Sequence, residues 1–200
     1  MTRFPITNVV GDLVDQHRDP DEKLYASLEL NQVAFPKTGM VVSQTPLGTA
    51  FTKANPCENG MWVVADKAAG AINAPAAATD SPIGIVYTTE KEYDREHYGL
   101  QRFGRKIAGD YPRVGIFGLG DTVTTNCLQY DETTYATFAA LETALNAIGT
   151  TPMYVVPVAG SPVPQLTTTK PQSGTYAKVV KYYTVPNGGK GVKYQIVSLG

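Results

Sequence analysis

The sequence contains Tyr176-Ala-Lys-Val-Val-Lys-Tyr-Tyr-Thr-Val185, followed by Pro186-Asn-Gly-Gly-Lys190 and then by Gly191-Val-Lys-Tyr-Gln-Ile-Val-Ser-Leu199. The outer two stretches are rich in β-branched and aromatic residues, which favour strands. The Asn-Gly-Gly between them supplies residues that adopt the positive φ of a tight hairpin turn. We therefore expect strands at 176–185 and 191–199, joined as a β-hairpin.

Short β-like runs separated by turn residues continue upstream, as far back as residue 38. The chain has 200 residues with 19 Gly, 14 Pro and 12 Tyr, and only 18% are charged. This composition favours many short strands over a helical bundle. We predict a mainly β fold, an antiparallel β-sandwich or barrel. Further strands are expected at 40–44 and 49–53, paired as a hairpin, and at 61–65, 83–87, 114–117, 123–130 and 153–158.

Three segments are expected to differ from this strand pattern. Residues 133–147 predict the one principal α-helix, because Phe138, Leu141, Leu145 and Ile148 recur at helical spacing. Residues 68–82 hold too much Gly and Pro for a helix, and we interpret them as a small-residue loop. Residues 88–110 are highly charged, which is compatible with a short helix or a long exposed loop.

The domain organisation is predicted from composition. Residues 1–37 are the most polar stretch and form an expected extended N-terminal arm, lying away from the core and ordered by a neighbouring subunit. Leu24, Leu28 and Leu30 are its candidate partner-binding residues. Residues 38–160 form the main β-rich body. The Pro-rich segment Ser161-Pro-Val-Pro is a candidate boundary between this body and residues 161–200. Those residues form either a separate hairpin unit or part of the same domain.

Charge is distributed unevenly although the net charge is only −1. Residues 150–200 contain five lysines and no acid, whereas residues 1–149 contain twelve bases and eighteen acids. Exposed lysines discourage aggregation of strand edges. Alternatively, Lys178, Lys181, Lys190 and Lys193 dock on an acidic partner surface, including that of another copy.

The two faces of the predicted hairpin are mixed. Because successive side chains of a strand point to opposite faces, Lys178 is expected on one face and Lys181 on the other, each among Tyr and Val residues. An exposed hairpin is expected from such a pattern, and not a central pair of strands.

Residues that could support catalysis are sparse. The two histidines, His17 and His97, lie in charged stretches without metal-binding spacing. Glu92, Asp94, Glu96 and His97 form one acid–histidine cluster, but neighbouring side chains diverge, so a solvated face is expected. We predict no enzyme activity, no cofactor and no metal. A hydrolase that uses this cluster is the alternative.

A glycine-rich loop at residues 115–121 superficially resembles a dinucleotide site. The third glycine of that motif would be residue 123, which is Val123, and the following residues predict a strand instead of a helix. Nucleic-acid binding is also not expected, since the basic patch of Arg102, Arg105 and Lys106 lies near four acids.

Cellular placement is only partly indicated. No apolar run approaches 18 residues, so we expect no membrane span. The start lacks an apolar signal core, which gives no indication of secretion. Cys57 and Cys127 are expected to be free buried thiols, although a disulfide between them remains an alternative.

Four segments resemble small structural proteins of tailed-phage heads: Gly60-Met-Trp-Val-Val-Ala-Asp-Lys67, Pro82-Ile-Gly-Ile-Val-Tyr87, Pro112-Arg-Val-Gly-Ile-Phe117 and Gly120-Asp-Thr-Val-Thr-Thr-Asn126. The similar proteins are capsid auxiliary proteins of the cement, decoration or head-fibre-base type. The resemblance implies a non-enzymatic virion protein, made in the host cytoplasm, that binds the capsid shell. Its implied partners are the major capsid protein and further copies of itself.

Two other binding roles remain as alternatives. A tail-tube or other virion component would also be β-rich, with one helix and flexible arms. A carbohydrate-binding module is suggested by Trp62 and the many tyrosines, provided that these rings are exposed in one row.

Overall fold

The computed structural model describes residues 1–4, 41–66, 69–80, 82–87, 105–184 and 190–200. Most of the predicted arm, with Leu24, Leu28 and Leu30, lies outside the described residues. The same holds for the acid–histidine cluster at 92–97 and for the Asn-Gly-Gly turn.

The described residues form fourteen strands and one helix. They are β1 (Thr2–Arg3), β2 (Val41–Val42), β3 (Cys57–Glu58), β4 (Trp62–Asp66), β5 (Ala71–Asn73), β6 (Ile83–Val86), β7 (Arg105–Lys106), β8 (Val114–Ile116), β9 (Thr122–Thr125), β10 (Gln129–Tyr130), α1 (Phe138–Asn146), β11 (Tyr154–Val158), β12 (Ser161–Thr167), β13 (Tyr176–Thr184) and β14 (Lys190–Ser198).

Two sheets contain twelve of the fourteen described strands. One has seven strands in the order β1-β10-β12-β11-β13-β14-β9, and the other has five in the order β2-β8-β6-β4-β5. Strands β3 and β7 pair separately. All pairs are antiparallel except β10 with β12. The mainly β, antiparallel prediction is confirmed, with two layers instead of a closed barrel.

The main core lies where residues of both sheets and α1 pack together. Trp62 of β4 is completely buried, and its Nε1 donates a hydrogen bond of 2.9 Å to the Tyr194 hydroxyl on β14. The Phe117 ring meets the Trp62 ring edge-on at 5.1 Å. Leu141 and Leu145 of α1 close the same core. The two layers are thus joined by apolar burial around one hydrogen-bonded aromatic pair.

A second apolar cluster covers the other face of the five-stranded sheet. Val63, Ile72 and Val114 belong to this cluster, and Leu47 and Phe51 from the preceding loop pack onto them. Strand β6 is therefore buried on both faces, which explains its unbroken apolar sequence. Gly84 is required there, because a Cβ atom would lie 2.5 Å from Val114 Cγ1.

Helix α1 is shorter than predicted at its N-terminus. It begins at Phe138, and the Thr137 hydroxyl caps it by accepting a hydrogen bond from the Ala140 N–H. Asp131 instead closes a turn, because its carboxylate accepts from the Thr133 N–H and hydroxyl. The predicted apolar face is confirmed, since Leu141 and Leu145 are buried.

The predicted hairpin at 40–53 is wrong. Val41–Val42 pairs with β8, and residues 49–53 form turns in place of a strand. The small-residue loop at 68–82 is interrupted by β5, which pairs with β4. Both errors arise because these strands are only two or three residues long and depend on partners distant in sequence.

The Pro-rich segment is a strand and not a link. Ser161–Thr167 forms β12, which pairs with β11 on one side and with β10 on the other. Its prolines, Pro162 and Pro164, lie where the β11–β12 register is irregular. Because regular pairing is interrupted there, the absence of their N–H groups removes few hydrogen bonds between the strands. Strands β12, β13 and β14 therefore belong to one seven-stranded sheet.

The first four residues belong to the core, which contradicts their assignment to an arm lying away from it. Thr2–Arg3 pairs with β10 at the edge of the seven-stranded sheet. The Phe4 side chain is only 2% exposed and meets the Phe138 ring edge-on at 5.1 Å. Phe4 thereby anchors α1 against the sheet.

We expect Phe4→Ala to lower the free energy of unfolding by about 3–5 kcal/mol, because it removes a fully buried ring and leaves a cavity. Urea unfolding monitored by circular dichroism measures this change. Leu199→Ala is the matched control, since Leu199 is 41% exposed. A Phe4→Ala protein as stable as the control variant would restore the arm model for the N-terminus.

Candidate functional site

A β-bulge in β13 determines which lysines share a face. Val179 lies opposite Tyr194, but the next paired residue, Lys181, lies opposite Lys193, so Val180 is an extra residue. Because an extra residue reverses the alternation, Lys178 and Lys181 project from the same face. The sequence expectation that they lie on opposite faces is wrong for this reason.

The hairpin strands are confirmed, but they are internal to their sheet. Strand β13 lies between β11 and β14, and β14 lies between β13 and β9. Most of their inward residues are buried: Ala177, Val179, Val192, Tyr194 and Ile196. Tyr182, also inward, is half-buried against the same core. The expectation of an exposed hairpin is therefore wrong, because the inward face of both strands packs into the main core.

The opposite face is basic. Lys178, Lys181 and Lys193, hereafter the lysine face, project from it; the first two are exposed and Lys193 is half-buried. Lys181 lies directly opposite Lys193, an arrangement of like charges that is unfavourable in an isolated sheet. No described acidic side chain forms an ion pair with these three lysines. Val180 at the bulge adds an apolar side chain that is 54% exposed.

Lys190 has a different environment from the other three predicted lysines. Its Nζ lies 3.9 Å from Glu142 Oε1 on α1 and 5.8 Å from the centre of the Tyr182 ring. The Tyr182 hydroxyl donates to the same carboxylate oxygen at 2.7 Å. Burial, reinforced by the Glu142 charge, raises the pKa of Tyr182. Lys190 thus contributes to the polar contact between α1 and strands β13 and β14.

The aromatic residues that the structure describes do not form an exposed row. Trp62 is completely buried, and Tyr130, Tyr176 and Tyr194 are buried as well. Among the described tyrosines, Tyr111 alone is largely exposed, at 58%. Trp62 and three of these tyrosines are therefore core residues, and the other described tyrosines apart from Tyr111 are half-buried.

Both cysteines are buried free thiols. Burial raises the pKa of Cys127 to about 12, although the neighbouring Arg3 opposes this shift. Because the thiolate is the reactive form, Cys127 is a packing residue and not a nucleophile at neutral pH.

The glycine-rich loop at 115–121 connects the two sheets. It joins β8 of the five-stranded sheet to β9 of the seven-stranded sheet, and Gly120 adopts a φ of +92°. One oxygen of the Asp121 carboxylate accepts from the Gly118 N–H at 2.7 Å. The other oxygen is buried and has no hydrogen-bond partner among the described residues. A strand follows the loop, as predicted.

A cavity of about 530 Å³ lies beside the edge strand β1. On its wall, Arg3 Nη2 donates to Glu58 Oε2 at 3.0 Å and approaches Cys127 Sγ at 3.8 Å. The remaining lining residues are mostly apolar or small: Ala50, Phe51, Ala54, Asn55, Pro56, Met61, Ala74, Gly160, Ser161, Pro162 and Val163. Sequence analysis did not find this site, because its charged pair is separated by 55 residues.

The described residues contain no group of three or more His, Cys, Asp or Glu side chains placed to hold a metal ion. Within the same part of the chain, no helix is both long and apolar enough to cross a membrane. Comparison of the chain with protein-family models, with curated proteins and with solved structures gives no match.

We expect Asp121→Asn to become more stable relative to the wild type as pH rises from about 3 to 7. Burial raises the pKa of Asp121, although the Gly118 hydrogen bond opposes this. A group with a raised folded pKa contributes stability below its unfolded pKa and loses it as pH rises through the folded pKa. Asparagine cannot ionise but still accepts from Gly118. Urea unfolding at each pH measures the difference.

Asp131→Asn is the control with the opposite sign. Hydrogen bonds from the Thr133 side chain and backbone lower the pKa of Asp131. Its stabilising contribution is present above the unfolded pKa and is lost as pH falls, so this variant should become relatively less stable as pH rises. If the Asp121 variant followed the same trend as Asp131→Asn, the Asp121 carboxylate would not be destabilised by burial.

Proposed function

We propose that the protein is a non-enzymatic structural component of a tailed-phage virion that binds the capsid shell through the lysine face. The observation that carries the proposal is the like-charged cluster of Lys178, Lys181 and Lys193 on one side of the central hairpin. The capsid assignment itself derives from the resemblance of four segments to phage head proteins.

Electrostatics favour an acidic protein partner for this face. Residues 150–200 contain no Asp or Glu, so the lysine face receives no compensation from its own strands. An acidic surface would relieve the repulsion between Lys181 and Lys193 and would define the orientation of binding. Val180 and Val197, which is 41% exposed, supply apolar area for the same contact.

The mechanism of attachment would be multivalent. An exposed ion pair contributes only about 0–1 kcal/mol, so three lysines give weak binding to a single site. A shell offers many equivalent sites, and simultaneous contacts by associated copies convert weak sites into stable attachment. Packing of the inner face into the core holds the strands in place, so the backbone loses little conformational entropy on docking.

A tail-tube component is the second candidate function. The seven-stranded sheet and its one packed helix are compatible with a ring-forming subunit as well. Ring formation by the isolated protein would favour the tube, whereas binding to preformed shells would favour capsid decoration.

We expect the triple variant Lys178→Gln, Lys181→Gln and Lys193→Gln to bind shells lacking this protein about tenfold more weakly than the wild type. The loss should be greatest at low salt, because screening already weakens the exposed pairs of the wild type at high salt. Co-sedimentation with shells over a range of salt concentrations measures both quantities.

The matched control is the double variant Lys170→Gln and Lys190→Gln. It changes two lysines of the same region that are not part of the lysine face: Lys170 follows the end of β12, and Lys190 contacts Glu142 on α1. This control should bind shells like the wild type. Equal binding and equal salt dependence of the triple variant would mean that the three lysines serve only to keep the sheet soluble.

A further inference from the structure

We propose that the cavity beside Arg3 and Glu58 binds a short extended segment of another polypeptide. The segment would insert one uncharged apolar side chain and direct its backbone carbonyl groups at Arg3. This site is separate from the lysine face and does not depend on the capsid assignment.

The size and walls of the cavity fit an apolar side chain. Its volume of about 530 Å³ falls within the range of roughly 300–1,000 Å³ typical of ligand pockets. Phe51, Met61 and Val163 form apolar walls and are themselves almost completely buried. Ala50 and Ala54 are exposed lining residues with small side chains, so nothing bulky from them obstructs an entering group.

Arg3 supplies hydrogen-bond donors that the fold does not use. A guanidinium has five N–H donors, and the bonds that Arg3 makes to Glu58 and Cys127 both come from Nη2. The Nε–H is buried and has no acceptor among the described residues. Because Nε is covered by protein, an incoming carbonyl oxygen would accept instead from Nη1, which takes no part in either bond, on a side chain that is 32% exposed.

Charge balance favours a neutral acceptor over an anion. Glu58 lies 3.0 Å from the guanidinium, and its side chain is only 8% exposed, so the pair already cancels its own charge. An additional carboxylate or phosphate would be repelled by Glu58 while losing its hydration. A backbone carbonyl carries the required lone pairs without a net charge.

The position of the cavity favours a polypeptide over a free small molecule. Arg3 belongs to β1, the outermost strand of the seven-stranded sheet. An extended segment can approach a sheet edge with its backbone while alternate side chains enter a neighbouring pocket. The edge strand and the cavity together provide both parts of such a site.

The test uses the full-length protein with ¹³C-labelled methionine methyl groups and two probes. N-acetyl-leucine N-methylamide carries an isobutyl group and two carbonyl groups, and N-acetyl-glycine N-methylamide lacks the side chain. We expect the leucine probe to shift the Met61 methyl resonance in a saturable manner, and the glycine probe to leave it unchanged. Met153 is the internal control, because it is buried in the other apolar cluster.

Two variants test the two halves of the site. Ala50→Phe should abolish the Met61 shift by filling the cavity, whereas Ala139→Phe on the exposed side of α1 should not. Arg3→Lys keeps a positive charge beside Glu58 but removes the planar guanidinium with its Nη1 donors, and it should weaken binding of the leucine probe about tenfold.

Three outcomes would overturn the proposal. The first is an equal response to the leucine and glycine probes, and the second is a Met61 shift that survives Ala50→Phe. The third is binding of N-acetyl-leucine, with its free carboxylate, more than tenfold tighter than its methylamide, which would make the cavity an anion site. Each outcome leaves the lysine face and its role unaffected.

Discussion

Burial of Trp62 between two sheets is the constraint on which the rest of the structure depends. Its ring contacts Phe117 and Tyr194, and its N–H finds an acceptor in the Tyr194 hydroxyl. A buried indole without that acceptor would lose its hydration uncompensated, so this hydrogen bond favours the observed position of β14 over β4. Burial raises the pKa of Tyr194, whereas the hydrogen bond from the Trp62 N–H lowers it. Burial has the larger effect, so the pKa is raised.

That constraint also determines what the outside of the sheet can be. Once Tyr194 and its inward neighbours on β13 and β14 face Trp62, the remaining residues of both strands must face away from the core. Because of the bulge at Val180, Lys181 joins the outward-facing residues of β13 and β14. These residues carry a net positive charge, since residues 150–200 contain no Asp or Glu. The proposed binding role therefore follows from the same strand register that builds the core, and it needs no mobile element.

Local patterns predicted those parts of the fold whose packing depends on neighbours close in sequence. The apolar face of α1 and the strands β4 and β6 were predicted because periodicity and β-branched content are local properties. The prediction that Lys178 and Lys181 lie on opposite faces is wrong, because a bulge depends on the partner strand and has no signal in the local sequence. The Arg3–Glu58 pair was missed for a similar reason, since its members meet only after β1 joins the sheet. Pro162 and Pro164 suggested a link because a proline normally interrupts a ladder, and their tolerance depends on an irregular register.

The central claim is that the lysine face contacts an acidic surface on another chain in an assembled particle. Zero-length carbodiimide coupling of intact particles, followed by mass spectrometry, joins lysines only to carboxylates in direct contact. The account predicts products that link Lys178, Lys181 or Lys193 to Asp or Glu of a different polypeptide, and their loss when particles are dissociated first. It would be contradicted if these three lysines formed no such product and reacted with a soluble acylating reagent as fully in the particle as in the isolated protein.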